Sequence, residues 1–285
     1  MWFIRLQKRR DLRLKDNSYG LLTTAVTVVE IQKQNKIPII FEHEDFLVLN
    51  KPAGISVHDK NDAKDPQPGI VTLVKQQTQY PELWLVHRLD KVTSGCLILA
   101  KNVATAAALG EAFEHRKVQK FYLAITDKKP KKRQGSVIGD LKKVRDGKWI
   151  ITKEKHNPSV THFFDKGYEQ GLRLQILKPY TGQTHQLRVV MSSLGATILG
   201  DEHYNGSHAD RTYLHTWQIQ FPLNDVTHQF QCLPLSGEWF TKEIFTSLIA
   251  QFANASETFA WPDKKLTATA LKKTVSPEKT DGNIG

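Results

Sequence analysis

Asp90 stands two residues after Arg88 in the run His87-Arg88-Leu89-Asp90, and Thr93-Ser94-Gly95 follows closely. A positioned carboxylate can act as a nucleophile or a general acid–base group, and a nearby cation favours its ionised form. Leu83-Trp84-Leu85-Val86 before the run and Cys96-Leu97-Ile98-Leu99-Ala100 after it read as buried strands. A charged turn beside a core loses hydration, which is costly unless the charge is paired. By spacing alone the same residues also describe a surface hairpin turn, where Asp and Gly are ordinary.

The elements around this turn predict a mixed α/β (α+β) chain. Residues 39–50 read as two short strands around a turn at 42–45, and 70–79 as a helix. Residues 103–116, rich in Ala, Leu and Glu, predict another helix, and 121–125 a strand. The stretch 127–149 carries Lys128, Lys129, Lys131, Lys132, Arg133, Lys142, Lys143, Arg145 and Lys148 among glycines and a proline. It predicts an exposed basic hairpin or loop, either plainly solvated or a clamp for phosphates. Strands are expected at 159–165, 172–177, 213–221 and 228–232, and a helix over 239–252. Leu187, Val190, Met191 and Leu194 mark one face of a helix. Arg188 sits at the edge of that stripe, with His185 three residues earlier, and an arginine so placed calls for a carboxylate.

Three segments follow from composition. Residues 1–36 form an N-terminal extension without an assigned role, strand-like from Leu21 to Ile31. Residues 37–254 form the compact domain, and 255–285 are expected to be a disordered tail. The formal net charge is +11 and the pI about 9.5, which suits a polyanionic partner but does not separate RNA, DNA and anionic membrane. With two cysteines, Cys96 and Cys232, the chain has neither a disulfide framework nor paired zinc-binding clusters, and it fits a reducing cytoplasm. No run approaches the ~20 apolar residues of a membrane span, and no secretory signal is recognisable.

Four ordered motifs give the turn a sharper meaning. His87-Arg88-Leu89-Asp90 with Thr93-Ser94-Gly95 resembles the signature of the RluA-type pseudouridine synthases. Upstream, Phe46-Leu47-Val48-Leu49-Asn50-Lys51-Pro52-Ala53-Gly54-Ile55-Ser56-Val57-His58 resembles the family's first motif. Downstream, Lys120-Phe121-Tyr122-Leu123-Ala124 resembles its tyrosine motif. Thr181-Gly182-Gln183-Thr184-His185-Gln186-Leu187-Arg188, followed by Leu194-Gly195 and Leu199-Gly200-Asp201, resembles its arginine motif. The resemblance implies a pseudouridine synthase fold with a mixed, largely antiparallel sheet flanked by helices.

It also implies an activity. The bond between uracil N1 and ribose C1′ breaks, the base turns, and C5 joins C1′, without redox change and so without a cofactor. The resemblance assigns the catalytic carboxylate to Asp90, the ring that stacks on the target base to Tyr122, and the partner of the aspartate to Arg188. Arg88, His87, Lys51, Gln183 and His185 are expected to face RNA, with Lys128, Lys131, Lys132 and Arg133 as the phosphate clamp. Gln183 and Val190 depart from the common pattern, where Arg or Lys and His are frequent. No stretch resembles the small S4 RNA-binding module, so recognition is expected to rest on the catalytic domain. The expected partner is a tRNA or rRNA stem-loop, met by a monomer without metal or membrane.

Three other readings use the same residues. A hydrolase on Ser94, His87 and Asp90 crowds its triad into one turn and lacks a GxSxG elbow. A metal enzyme on His203, His208, His215 and His228 has no dense ligand spacing. A non-catalytic RNA-binding protein on the synthase scaffold would leave Asp90, Tyr122 and Arg188 without a purpose.

Overall fold

The computed structural model describes residues 36–62, 64–252 and 254–261. The N-terminal extension, with its strand-like stretch, and the chain beyond 261 lie outside the described residues. Lys36 opens the unit that holds all of the described chain.

The first half supplies β1 (Ile39–Glu42), β2 (Phe46–Lys51), α1 (Ile70–Thr78), β3 (Trp84–Leu85), β4 (Ser94–Ala100) and α2 (Val103–Glu114). The second half supplies β5 (Gln119–Thr126), β6 (Gln134–Lys143), β7 (Trp149–Ile151), β8 (Pro158–Gly167), β9 (Arg173–Pro179) and α3 (Gln186–Ser193). There follow β10 (Leu214–Leu223), β11 (Val226–Gln231), α4 (Glu243–Ala250) and α5 (Ala255–Thr258). Across the sheet the order is β1-β2-β4-β10-β5-β9-β8-β6-β7, with β3 beside β4 and β11 beside β10. Apart from β4 with β10, the described pairs are antiparallel, so the fold is the mixed, largely antiparallel one expected.

Both faces of the central strands are buried. Phe46 and Val48 of β2 and Cys96 and Ile98 of β4 pack with Leu109 and Ala112 of α2. Leu47, Leu49, Leu97 and Leu99 point the other way, into a core shared with Ile70 and Val74 of α1 and Met191 of α3. Two-sided burial explains why these strands are unbroken apolar runs rather than alternating ones. Cys96 and Cys232 are free thiols within this packing.

β10 joins the two halves. It runs parallel to β4 through His215 opposite Ser94 and Thr216 opposite Gly95, and antiparallel to β5 from Leu214 opposite Ala124 to Gln220 opposite Gln119. Gly95 permits the close parallel contact: its φ is +116°, and a Cβ there would meet the Thr216 carbonyl oxygen at 2.2 Å.

A buried polar chain crosses the same seam. Arg211 Nη2 donates to Ser94 Oγ at 2.8 Å, and Ser94 Oγ donates to His215 Nδ1 at 2.8 Å. His215 Nε2 donates to the Cys232 carbonyl oxygen at 2.9 Å. These partners assign a neutral tautomer with its proton on Nε2. Burial pulls the His215 pKa down to about 3. An unfolded histidine protonates near pH 6.5, before the folded one, so this contribution to stability is full above 6.5 and fades as pH falls toward 3. At pH 5 the loss is about 2 kcal/mol. Unfolding midpoints at pH 7 and pH 5 should fall less in His215→Gln than in the wild type; equal falls would refute the assignment.

Two expectations need correction. The helix expected over 239–252 is shorter, because Trp239 and Phe240 lie in the preceding loop and Phe240 packs 4.9 Å from Tyr213 and 5.1 Å from Phe245. The tail expected from 255 is ordered to Trp261. Phe259 lies 4.9 Å from Phe164, and Trp261 lies 5.6 Å from Phe121, so aromatic burial outweighs the polar composition. Of the two forms expected for the basic stretch 127–149, the structure shows the hairpin: β6 (Gln134–Lys143) pairs antiparallel with β7, and on its other edge with β8.

Candidate active site

A cleft of about 460 Å³ opens where the loop before β4, strand β5 and the start of α3 meet. Asp90, Tyr122 and Arg188 all line it, although 98 positions separate the first from the last. Asp90 is held by the turn that follows, where Thr93 N donates to the Asp90 carbonyl at 3.0 Å. Its side chain keeps 19% exposure, enough for a substrate to reach it. Tyr122 is buried in β5, and burial pushes its pKa up, keeping the phenol protonated at neutral pH.

Arg188 has two carboxylates. Its Nε donates to Asp201 Oδ2 at 2.7 Å and its Nη2 to Asp201 Oδ1 at 2.6 Å, a bidentate fork. Its Nη1 faces Asp90 Oδ2 at 3.9 Å. Both Arg188 and Asp201 are buried. Burial alone would lower the Arg188 pKa, but the hydrogen bonds to Asp201, with its charge and that of Asp90, raise it overall. Asp201 therefore fixes the guanidinium, and Asp90 meets its remaining edge. Sequence reasoning found the carboxylate at Asp90 but gave Asp201 no role.

The loop before α3 is closed by Gln186, which the sequence reading also left without a role. Its Oε1 accepts from Thr181 Oγ1 at 2.7 Å and from Gln183 N at 3.1 Å, and its Nε2 donates to Thr161 Oγ1 at 2.9 Å. His185, at the αL position before the helix, has φ 57°. Trp149 N donates to Tyr204 Oη at 3.1 Å, and Tyr204 Oη bonds His185 Nδ1 at 2.9 Å. The β7 end of the basic hairpin is thus tied to the floor of the cleft. Burial lowers the His185 pKa.

The residues expected to face RNA separate into three groups. Arg88, Gln183 and His185 line the cleft, with Arg88 exposed at its rim. Lys128, Lys131, Lys132 and Arg133 are exposed in the loop between β5 and β6, and none of them lines the cleft. Lys51 and His87 are corrections. Lys51 is fully buried, and its Nζ donates to the carbonyls of Pro52 and Ile55 at 2.8 Å each and of Lys91 at 3.4 Å. It clamps the first motif to the turn beyond Asp90 and cannot reach a ligand. Burial, with Arg211 nearby, lowers its pKa to about 7 against the pull of Asp90. His87 borders the cleft, but its Nε2 accepts from Ile98 N at 2.9 Å and its ring stacks 4.6 Å from Phe113. Burial lowers its pKa to about 3, so it is neutral and anchors the turn to β4.

The rival constellations do not assemble. Ser94 bonds His215 and Arg211, not His87. Of the four separate histidines, His208 bonds Glu202, His215 bonds the Cys232 carbonyl, and His228 stacks 5.4 Å from Phe221.

Comparison with known proteins identifies the family. A family model described as RNA pseudouridylate synthase matches residues 45–193. An uncharacterized RNA pseudouridine synthase of Haemophilus influenzae is 47% identical over 209 residues, 73% of this chain and 92% of that protein. The ribosomal large subunit pseudouridine synthase C of Pasteurella multocida is 32% identical over 224 residues, 74% of this chain and 67% of that protein. The human RNA pseudouridylate synthase domain containing 1 shares the fold, with a TM-score of 0.62 at 24% identity, over 80% of this chain and 97% of the human one. The chain belongs to the RluA-type RNA pseudouridine synthases, isomerases that act on uridine in RNA.

Proposed function

We propose that this enzyme isomerises one specific uridine in a tRNA or rRNA stem-loop, with Asp90 as its catalytic carboxylate. The observation that carries the reading is the convergence of Asp90, Tyr122 and Arg188 on a single cleft, with Arg188 locked by Asp201 and presenting its free edge to Asp90. Asp90 is the nucleophile or acid–base group while the N1–C1′ bond breaks and the C5–C1′ bond forms. Arg188 holds that carboxylate ionised and aimed. The Tyr122 ring supports the base by its face; a phenol with a raised pKa suits contact rather than proton removal.

The target uridine must leave its stack to enter the cleft. Arg88, Gln183 and His185 meet the strand there, while Lys128, Lys131, Lys132 and Arg133 contact phosphates farther along the RNA. The net charge of +11 supports such a partner. The chemistry itself needs neither cofactor nor metal, and the reading places a monomeric enzyme in the cytoplasm.

Mapping pseudouridine in total tRNA and rRNA from cells with and without the protein tests this. One modified site should vanish, return with the wild-type gene, and stay absent with Asp90→Ala. Restoration by Asp90→Ala would favour a non-catalytic RNA-binding role instead.

A further inference from the structure

Of the cations that line the cleft, Lys120 and Arg116 are not used by the chemistry above, and Lys120 is the one on the strand that carries Tyr122. It lies two residues before Tyr122 on β5, so both side chains leave the same face of the strand, about 6.7 Å apart along it. It lines the cleft with Asp90 and Tyr122. Its ammonium makes no hydrogen bond or ion pair to a described residue. It lies over the Phe113 ring, whose centroid is 5.6 Å away. The nearby His87 is neutral and already bonded to Ile98. On the remaining side is Gly182, where an added Cβ would stand 3.7 Å from Nζ, so the absence of a side chain keeps that approach open.

A partly buried ammonium with its three donors unused carries an uncompensated desolvation cost. Burial draws the Lys120 pKa down to about 8. Other buried lysines here have found oxygen: Lys51 holds three carbonyls, and Lys178 bonds Gln119 Oε1 at 2.9 Å. Lys120 has none, and it opens onto the space that the substrate fills.

We propose that Lys120 is a phosphodiester subsite, its ammonium seating a backbone phosphate of the RNA strand beside the uridine held on Tyr122. The subsite rests on the pseudouridine synthase reading and sharpens it: the flipped nucleotide is held by base and by backbone at two points of one strand. Binding the anion supplies the missing partner and restores the full charge of the lysine. Lys120 is a binding residue in this scheme and takes no part in bond making.

The test compares the wild type with Lys120→Met and Lys120→Arg on total RNA from cells lacking the protein. The rate of pseudouridine formation at limiting RNA is followed from low to high salt. Lys120→Met should lose about 10- to 100-fold at low salt, and its plot of log rate against log salt should be shallower by about one. Lys120→Arg keeps the cation and should retain most of both. Melting temperature should not fall in Lys120→Met, because no protein partner is lost; Lys120→Gln replaces that variant should it fail to fold. An unchanged salt slope overturns the subsite whatever the rate does, since it would place Lys120 against a neutral group. A wild-type protein that forms no pseudouridine overturns the catalytic reading instead, and the slopes of equilibrium retention of the same RNA then still decide the role of Lys120.

Discussion

Asp90→Asn should lose about 10⁴-fold or more of the pseudouridine-forming rate while folding and binding RNA as the wild type does. Asparagine keeps the shape of the side chain and removes the charge and the basic oxygen that the reaction uses. Arg188 remains satisfied, because its bidentate partner is Asp201 rather than Asp90. The buried cation therefore stays paired, and stability should change by no more than about 1 kcal/mol. Single-turnover rates with RNA in excess, paired with melting curves, measure both. A variant that melts many degrees lower would make Asp90 a structural residue first.

Asp201→Asn should damage both stability and rate. Asp201 is buried and takes two of the guanidinium's donors, so removing its charge leaves Arg188 with Asp90 at 3.9 Å as its ionised partner and the Tyr204 ring 5.0 Å away. Breaking a buried pair in this way costs about 3 kcal/mol. The freed guanidinium is then drawn toward Asp90, and a shift of the order of 1 Å at a reacting group costs about 10²-fold in rate. Denaturant unfolding and kcat/KM read the two effects separately. Loss of stability with full activity would show that Asp201 supports the helix without positioning the carboxylate. Arg188→Lys should fail similarly, because a lysine cannot bridge two carboxylates with a planar fork.

The sequence makes legible what is local or periodic. β2 and β4 stand out as apolar runs because each is buried on both faces, and α3 because Leu187, Val190 and Met191 repeat with the helix. The roles proposed for Asp90, Tyr122 and Arg188 come from ordered motifs, and the cleft brings those three together. What the sequence hides are contacts between elements. Asp201 reaches Arg188 across a turn with no period of its own. Lys51 looks like one more surface cation until its carbonyl cage is visible, and His87 like a ligand until Ile98 claims its nitrogen. Phe259 and Trp261 sit in a polar stretch whose average composition conceals two anchors. Charge counting fails differently: it finds the lysines of the β5–β6 loop, which stand away from the cleft, and passes over Lys120 inside it.

The place of β10 has a consequence for how the enzyme comes into being. Asp90, Tyr122 and Arg188 have all been synthesised before Leu214, where the strand that binds the two halves of the sheet begins. A nascent chain ending at Ser193 would hold every residue of the matched family segment and still lack the strand between β4 and β5. The pairing of Ser94 with His215 spans 121 residues, a long loop whose closure entropy must be met before the pairing gives any return. Catalytic competence therefore arrives late and all at once, when β10 leaves the ribosome, and a fragment that stops short of β10 carries the chemistry without the tool.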